Sequence, residues 1–147
     1  MTALKPKWRE RFEFFEASGA PGSPEARAAF KALPVDKKCL ISISWLGFFF
    51  GPLYFTLVLG MWKRTATLIG IILVAFPLVI ILLVLVFEVF WMATGSQVSH
   101  AVQQLIVQAL NIGVAMLFAL TANYSYYLKE VKDDNGWNPF KGLRTYL

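Results

Sequence analysis

Glu88, His100 and a row of amides are the side chains in the apolar middle of this 147-residue sequence with the most chemistry to offer. Gln97, His100, Gln104, Gln108 and Asn111 follow one another at spacings of 3, 4, 4 and 3, which places them on one helix face. The row continues through Ala115, Phe118 and Ala122, with Gln103 beside it. Amides in hydrocarbon must face protein, water or each other. They form either a polar path or cleft, or interhelical hydrogen bonds worth about 0.6–2 kcal/mol each. Glu88 is the one acid of the apolar region, and an acid at membrane depth is a candidate proton or cation group. It also falls near Trp91 and the loop bearing His100, where it can reach water or pair with the imidazole.

These groups do not assemble into catalysis or metal binding. One carboxylate and one imidazole fall short of a metal site, which takes about three or four ligands. His100 is the only histidine, so no Ser-His-Asp arrangement is credible. No glycine-rich phosphate loop occurs. The expectation is a protein that is not an enzyme, with no catalytic, cofactor-binding or metal residues.

The elements that carry these side chains follow from where charge is missing. Between Leu40 and Asn123 there are 84 residues and three formal charges, Lys63, Arg64 and Glu88. A soluble domain does not tolerate that, so the stretch is expected in lipid. Net charge is +5, and the basic groups flank apolar spans. That points to an anionic membrane surface and away from nucleic acid. Cys39 is the only cysteine, which excludes an intramolecular disulfide. Residues 1–39 read charged and broken by Pro and Gly, unlike a secretory signal, so entry through internal spans is expected.

Residues 5–17 predict an amphipathic helix with Leu4, Trp8, Phe12 and Phe15 on one face. A second short helix starts at Ser23 as N-cap with Pro24 at its first position, and stops before Pro34. These helices are expected on the membrane surface or on the cytoplasmic end of the bundle. Leu40–Trp62 is apolar but carries Gly51 and Pro52 in its middle, which predicts two half-helices with a break between them. Thr65–Ala93 is the strongest span, with a kink expected at Pro77, and Ala101–Asn123 is the third apolar segment. Tyr124, Tyr126 and Tyr127 with Lys129 predict an interfacial belt, as do Trp62, Lys63 and Arg64 at the other junction. The tail is expected to stay helical briefly and to break at Asn135-Gly136.

Two topologies compete. If all three apolar segments span, Lys63 and Arg64 lie outside, against the positive-inside rule. If Leu40–Trp62 enters and returns, both termini and the Lys63-Arg64 pair stay cytoplasmic, and the uncharged loop 94–100 is outside. The second satisfies every basic group. The expected fold is therefore all-α: a small integral membrane protein with two full transmembrane helices, a bent membrane-inserted segment and short amphipathic N-terminal helices. Residues 1–39 form the cytoplasmic N-terminal segment, 40–123 the membrane domain and 124–147 the interfacial and cytoplasmic tail.

Three stretches together carry a resemblance: WRERFEFFEASGAPGSPEARAAFKALP (Trp8–Pro34), WLGFFFGPLYFTLVLGMWKR (Trp45–Arg64) and ANYSYYLKEVKDDNGWNPFKGLR (Ala122–Arg144). They resemble the small bacterial inner-membrane proteins grouped as domain of unknown function 2628. The resemblance runs over nearly the whole chain, is most specific at Phe48–Arg64, and implies a bacterial inner-membrane, multi-pass protein. It carries no activity or site residues. The first functional expectation is an interaction or adaptor protein of the bilayer. Trp8, Phe12, Phe15, Trp137 and Phe140 would form its cytoplasmic surface, and the amide row would pack a membrane partner or a second copy. The alternative is a small transporter or channel component using Glu88, Gln104, Gln108 and Asn111. A weaker alternative is an immunity protein against a membrane-active toxin.

Overall fold

A computed structural model describes residues 6–141, the side chain of Lys7 excepted. Leu4, expected on the apolar face of the first helix, lies outside the described residues, as does the end of the tail from 142 onward. The described residues are helical, with no strand among them. Helices α1 (Pro6–Ser18), α2 (Pro24–Ala32), α3 (Val35–Ser42) and α4 (Trp45–Leu53) are short, whereas α5 (Trp62–Thr94) and α6 (His100–Lys132) have 33 residues each. At about 1.5 Å per residue each long helix measures about 50 Å, more than a hydrocarbon core of about 30 Å requires.

The ends of the short helices obey local chemistry. The Ser23 hydroxyl accepts from the Ala26 N–H at 3.0 Å, with Pro24 at the first helical position. Leu33 is extended before Pro34, and α2 ends there. A third short helix, α3, follows directly and takes in Lys37 and Lys38. Ser44 caps α4 through the Gly47 N–H at 3.2 Å. Gly51 then breaks the helix, with φ 36° and ψ −113°, a conformation that glycine adopts without steric cost. Pro52 follows, a wider π-type turn covers Tyr54–Val58, and the chain reaches α5 through Leu59–Met61. The expected break at Gly51-Pro52 is therefore present. The long helix α5 continues through Pro77 as one element.

Three helical stretches, Val35–Val58, Trp62–Thr94 and His100–Lys132, are long and apolar enough to cross a membrane. Apolar side chains are exposed along α5 from Ile69 to Met92, Leu73 by 69%. Such a surface suits hydrocarbon and not water.

Among the described residues the core gathers at the end of the molecule where α1, α3 and the bent segment meet α6. Tyr54, Phe55, Leu59, Met61, Leu68, Phe118 and Ala122 form one cluster, where the bent segment meets α5 and α6. Phe12, Phe15, Ile41, Tyr127 and Leu128 form a second, where α1 and α3 cover the end of α6. This fixes the surroundings of two groups of aromatic residues. Tyr127 is buried under α1, while Tyr126 is half-buried with its ring 4.6 Å from that of Trp8. Phe12 and Phe15 likewise face inward and offer no free aromatic surface. The tail also breaks earlier than expected. Helix α6 ends at Lys132, and Asp133 adopts a left-handed conformation (φ 52°) that turns the chain back.

Candidate functional site

The height at which the bent segment touches α6 defines the site. Asn123 donates its side-chain amide to the carbonyls of Leu40 (3.2 Å) and Ile41 (2.8 Å). One turn further along α6, the Ser44 N–H donates to the Ala119 carbonyl at 3.0 Å. At Gly47 a Cβ would stand 3.1 Å from the Phe118 carbonyl, so only glycine lets the two backbones approach so closely. Gly51 lies against the Phe118 ring, and there the segment turns. By Leu59 it is back at the end of α6, where the Lys129 ammonium donates to the Leu59 carbonyl at 2.7 Å. The segment thus climbs α6 from Asn123 to Phe118, about 7.5 Å at helical rise, and returns.

Arg64 locks this return. Its side chain is fully buried. Nη1 donates to the Ser125 carbonyl, Nη2 to the Asp134 carbonyl at 2.6 Å and Nε to the Gly136 carbonyl at 3.3 Å. The Asp134 carboxylate adds an ion pair at 3.6 Å. A cation at the start of α5 opposes that helix's dipole, but these carbonyls belong to the end of α6 and the residues after it, where positive charge is favoured. Arg64, expected as an interfacial cation, is a buried tertiary clasp within the protein. Its spacing to Leu68 and Ile72, four and eight residues on, was the available signal, since it puts Arg64 on the apolar face of α5 and Lys63 off it. Lys63 and Trp62 do stay at the surface, with the Lys63 ammonium 5.9 Å from the Trp62 ring centre and that ring 5.4 Å from Trp137. Asp134 lies beyond α6. Its hydrogen bond from Lys141, the Gly136 N–H and the charges of Lys141 and Arg64 hold its carboxyl below its ordinary value of 3.8.

Because the insert turns at Phe118, it covers half of one α6 face. Ala122 and Phe118 on that face are buried and Ala115 is partly covered. Above the turn the same face continues as Asn111, Gln108, Gln104 and His100, all exposed. Among the described residues these four side chains make no hydrogen bond. The floor of the bare region is an open groove of about 360 Å³. Phe48, Phe50 and Pro52 of the bend line it, with Ile72 of α5, and Asn111 stands on its wall. Higher up, His100, Gln103, Gln104 and Gln108 line a second open depression. The amide row therefore does not act as glue within the chain. Gln103, beside it, turns inward and donates to the Val98 carbonyl at 2.9 Å.

Glu88 is exposed near the end of α5. It lines a cleft of about 290 Å³ with Trp91, Gln97 and Gln103. Of the two alternatives, reaching the surface or pairing with His100, it takes the first: among the described residues it makes no ion pair with His100. Among the described residues no three His, Cys, Asp or Glu side chains gather to hold a metal ion.

A family profile described as "Protein of unknown function (DUF2628)" matches residues 2–132. The chain belongs to this family. Among curated relatives, "Uncharacterized protein YigF" of Escherichia coli (strain K12) is 33% identical over 140 residues, 92% of each chain. The proteins of the same name from Salmonella typhimurium and Salmonella typhi are each 31% identical over 140 residues, again 92% of both chains. No solved structure matches. The family resemblance read from the sequence is thereby shown; the bent segment, Arg64 and the amide row fall within the matched residues, whereas the clasp's acceptors at Asp134 and Gly136 lie just beyond them.

Proposed function

We propose that this is a non-enzymatic protein of the bacterial inner membrane whose α6 face from His100 to Asn111 docks a transmembrane helix. The supporting observation is that these four polar side chains stand exposed on a helix whose lower half, on the same face, is covered by the insert. In hydrocarbon such amides are costly until partnered. In this reading α5 and α6 span, and the segment Leu40–Trp62 enters and returns on the cytoplasmic side. Lys37, Lys38, Lys63, Lys129 and Lys132 then sit at one end with both termini, and the loop 94–100 carries no Lys or Arg. The irregular backbone at Gly51 is shielded by Phe118, as irregular backbone in a bilayer must be.

A photo-crosslinking side chain at Gln108 in intact cells tests the docking. It should yield a protein adduct in the membrane fraction, while the same group at Leu82 on α5 should not. No adduct from Gln104, Gln108 or Asn111 rejects the reading. A cysteine at Lys63 should label from the cytoplasmic side alone.

One observation favours a second reading, a small transporter component: the cleft holding Glu88 opens beside the amide row. Ion flux into liposomes that is unchanged by Glu88→Gln and Gln108→Leu removes it.

A further inference from the structure

We infer that the helix docked on the bare face of α6 is α6 of a second copy of this chain, related by a two-fold axis along the bilayer normal. This rests on the docking reading above and names its partner. Gln104, Gln108 and Asn111 are uncharged, and each amide carries both donors and an acceptor. A face of that kind is complementary to itself. A charged partner helix would bring a charge to the stretch from Gln104 to Asn111, which holds no Lys, Arg, Asp or Glu, and an apolar one would leave the amides unpaired in hydrocarbon.

Copies inserted in one membrane share an orientation. Their two-fold axis then brings equal-numbered residues together at equal depth, Gln104 to Gln104 and Gln108 to Gln108. Leu105 and Ile112, exposed by 64% and 56%, flank the amide row and supply the apolar contact around it.

The insert limits the contact. It occupies the same face from Phe118 downward and partly covers Ala115, so two copies meet over His100–Asn111, about 16 Å of helix. Below Asn111 the two α6 helices diverge, and the two bent segments fill the opening between them. The contact is therefore confined to the outer half of the bilayer. An ordinary two-helix dimer would touch along the whole length.

Disulfide trapping of the full chain in native membranes tests this. Cys39→Ser removes the one cysteine, and single cysteines are then placed at Gln104, Gln108, Ala115 and Leu82. Oxidation should give dimers at Gln104→Cys and Gln108→Cys, and none at Ala115→Cys under the insert or at Leu82→Cys on α5. In a chain reporting through Ala101→Cys, Gln104→Leu with Gln108→Leu should lower the dimer fraction about tenfold, as loss of two amide pairs requires. Dimers that form equally at Leu82→Cys, or at no position, overturn the second copy. Photo-crosslinks from Gln108 to a different protein, with no self-dimer, overturn it while leaving the docking reading intact. Absence of any adduct rejects both.

Discussion

Asn123 holds Ile41 by a 2.8 Å hydrogen bond from its side-chain amide to the Ile41 carbonyl, across 82 residues of sequence. The same amide reaches the Leu40 carbonyl. That carbonyl also accepts from Arg11 Nε at 2.8 Å, so α1, the end of α3 and α6 meet at one point. Asn123→Ala removes both bonds; the Leu40 carbonyl keeps its bond from Arg11 but the buried Ile41 carbonyl loses its side-chain donor, a loss of about 1–3 kcal/mol. Asn123→Asp is worse at neutral pH, because a carboxylate donates nothing and faces carbonyl oxygens. Thermal unfolding in mild detergent should rank them wild type, Ala, Asp.

Arg64 makes three side-chain bonds to carbonyls that diverge in direction. Lysine has one nitrogen and cannot follow all three. Arg64→Ala should cost about 3–5 kcal/mol, and Arg64→Lys roughly half of that. Because two of the acceptors lie at Asp134 and Gly136, limited proteolysis should cut near Trp137 in both variants before it cuts the wild type.

Glycines separate packing from span. Gly47→Ala drives a methyl group to 3.1 Å from the Phe118 carbonyl and should cost about 1–3 kcal/mol. Gly51→Ala makes ordinary van der Waals contact with the Phe118 ring, at 3.5 Å, but sits at a positive φ and should cost about 1–2 kcal/mol. Gly70 and Gly113 have nothing within 4 Å, so alanine there should be neutral or stabilise by up to about 1 kcal/mol. Unfolding midpoints of the four variants check the order.

Asp134 predicts an acid limb. Its folded-state carboxyl titrates below the ordinary value of 3.8, chiefly through the hydrogen bond from Lys141. Its contribution is therefore fully present above that value and is lost as pH falls through the lower folded value. Between pH 5 and 3 the wild type should lose more thermal stability than Asp134→Asn. Equal losses would remove Asp134 from the account.

Much of this was legible in the residues because it is local. The Ser23 cap, the Pro34 stop and the Gly51-Pro52 break each depend on a few neighbouring dihedrals and donors. The amide spacing likewise stated which side chains share a face. It could not state whether that face is covered, since the answer lies in where a segment 60 residues earlier turns. The burial of Arg64 was hidden for a related reason: beside Lys63 it reads as one of two interfacial cations, and its acceptors lie 61 to 72 residues away.

By itself, then, the sequence determined the apolar lengths, the start and stop of α2, the bend and the face on which the amides stand, because periodicity, missing charge and turn chemistry act over one or two helical turns. Only the tertiary structure decided the rest. It set the height at which the insert stops against Phe118, buried Arg64 and Tyr127, and left His100 to Asn111 bare. Those outcomes depend on which surfaces meet after folding, and close approaches such as Gly47 on the Phe118 carbonyl have no counterpart along the chain.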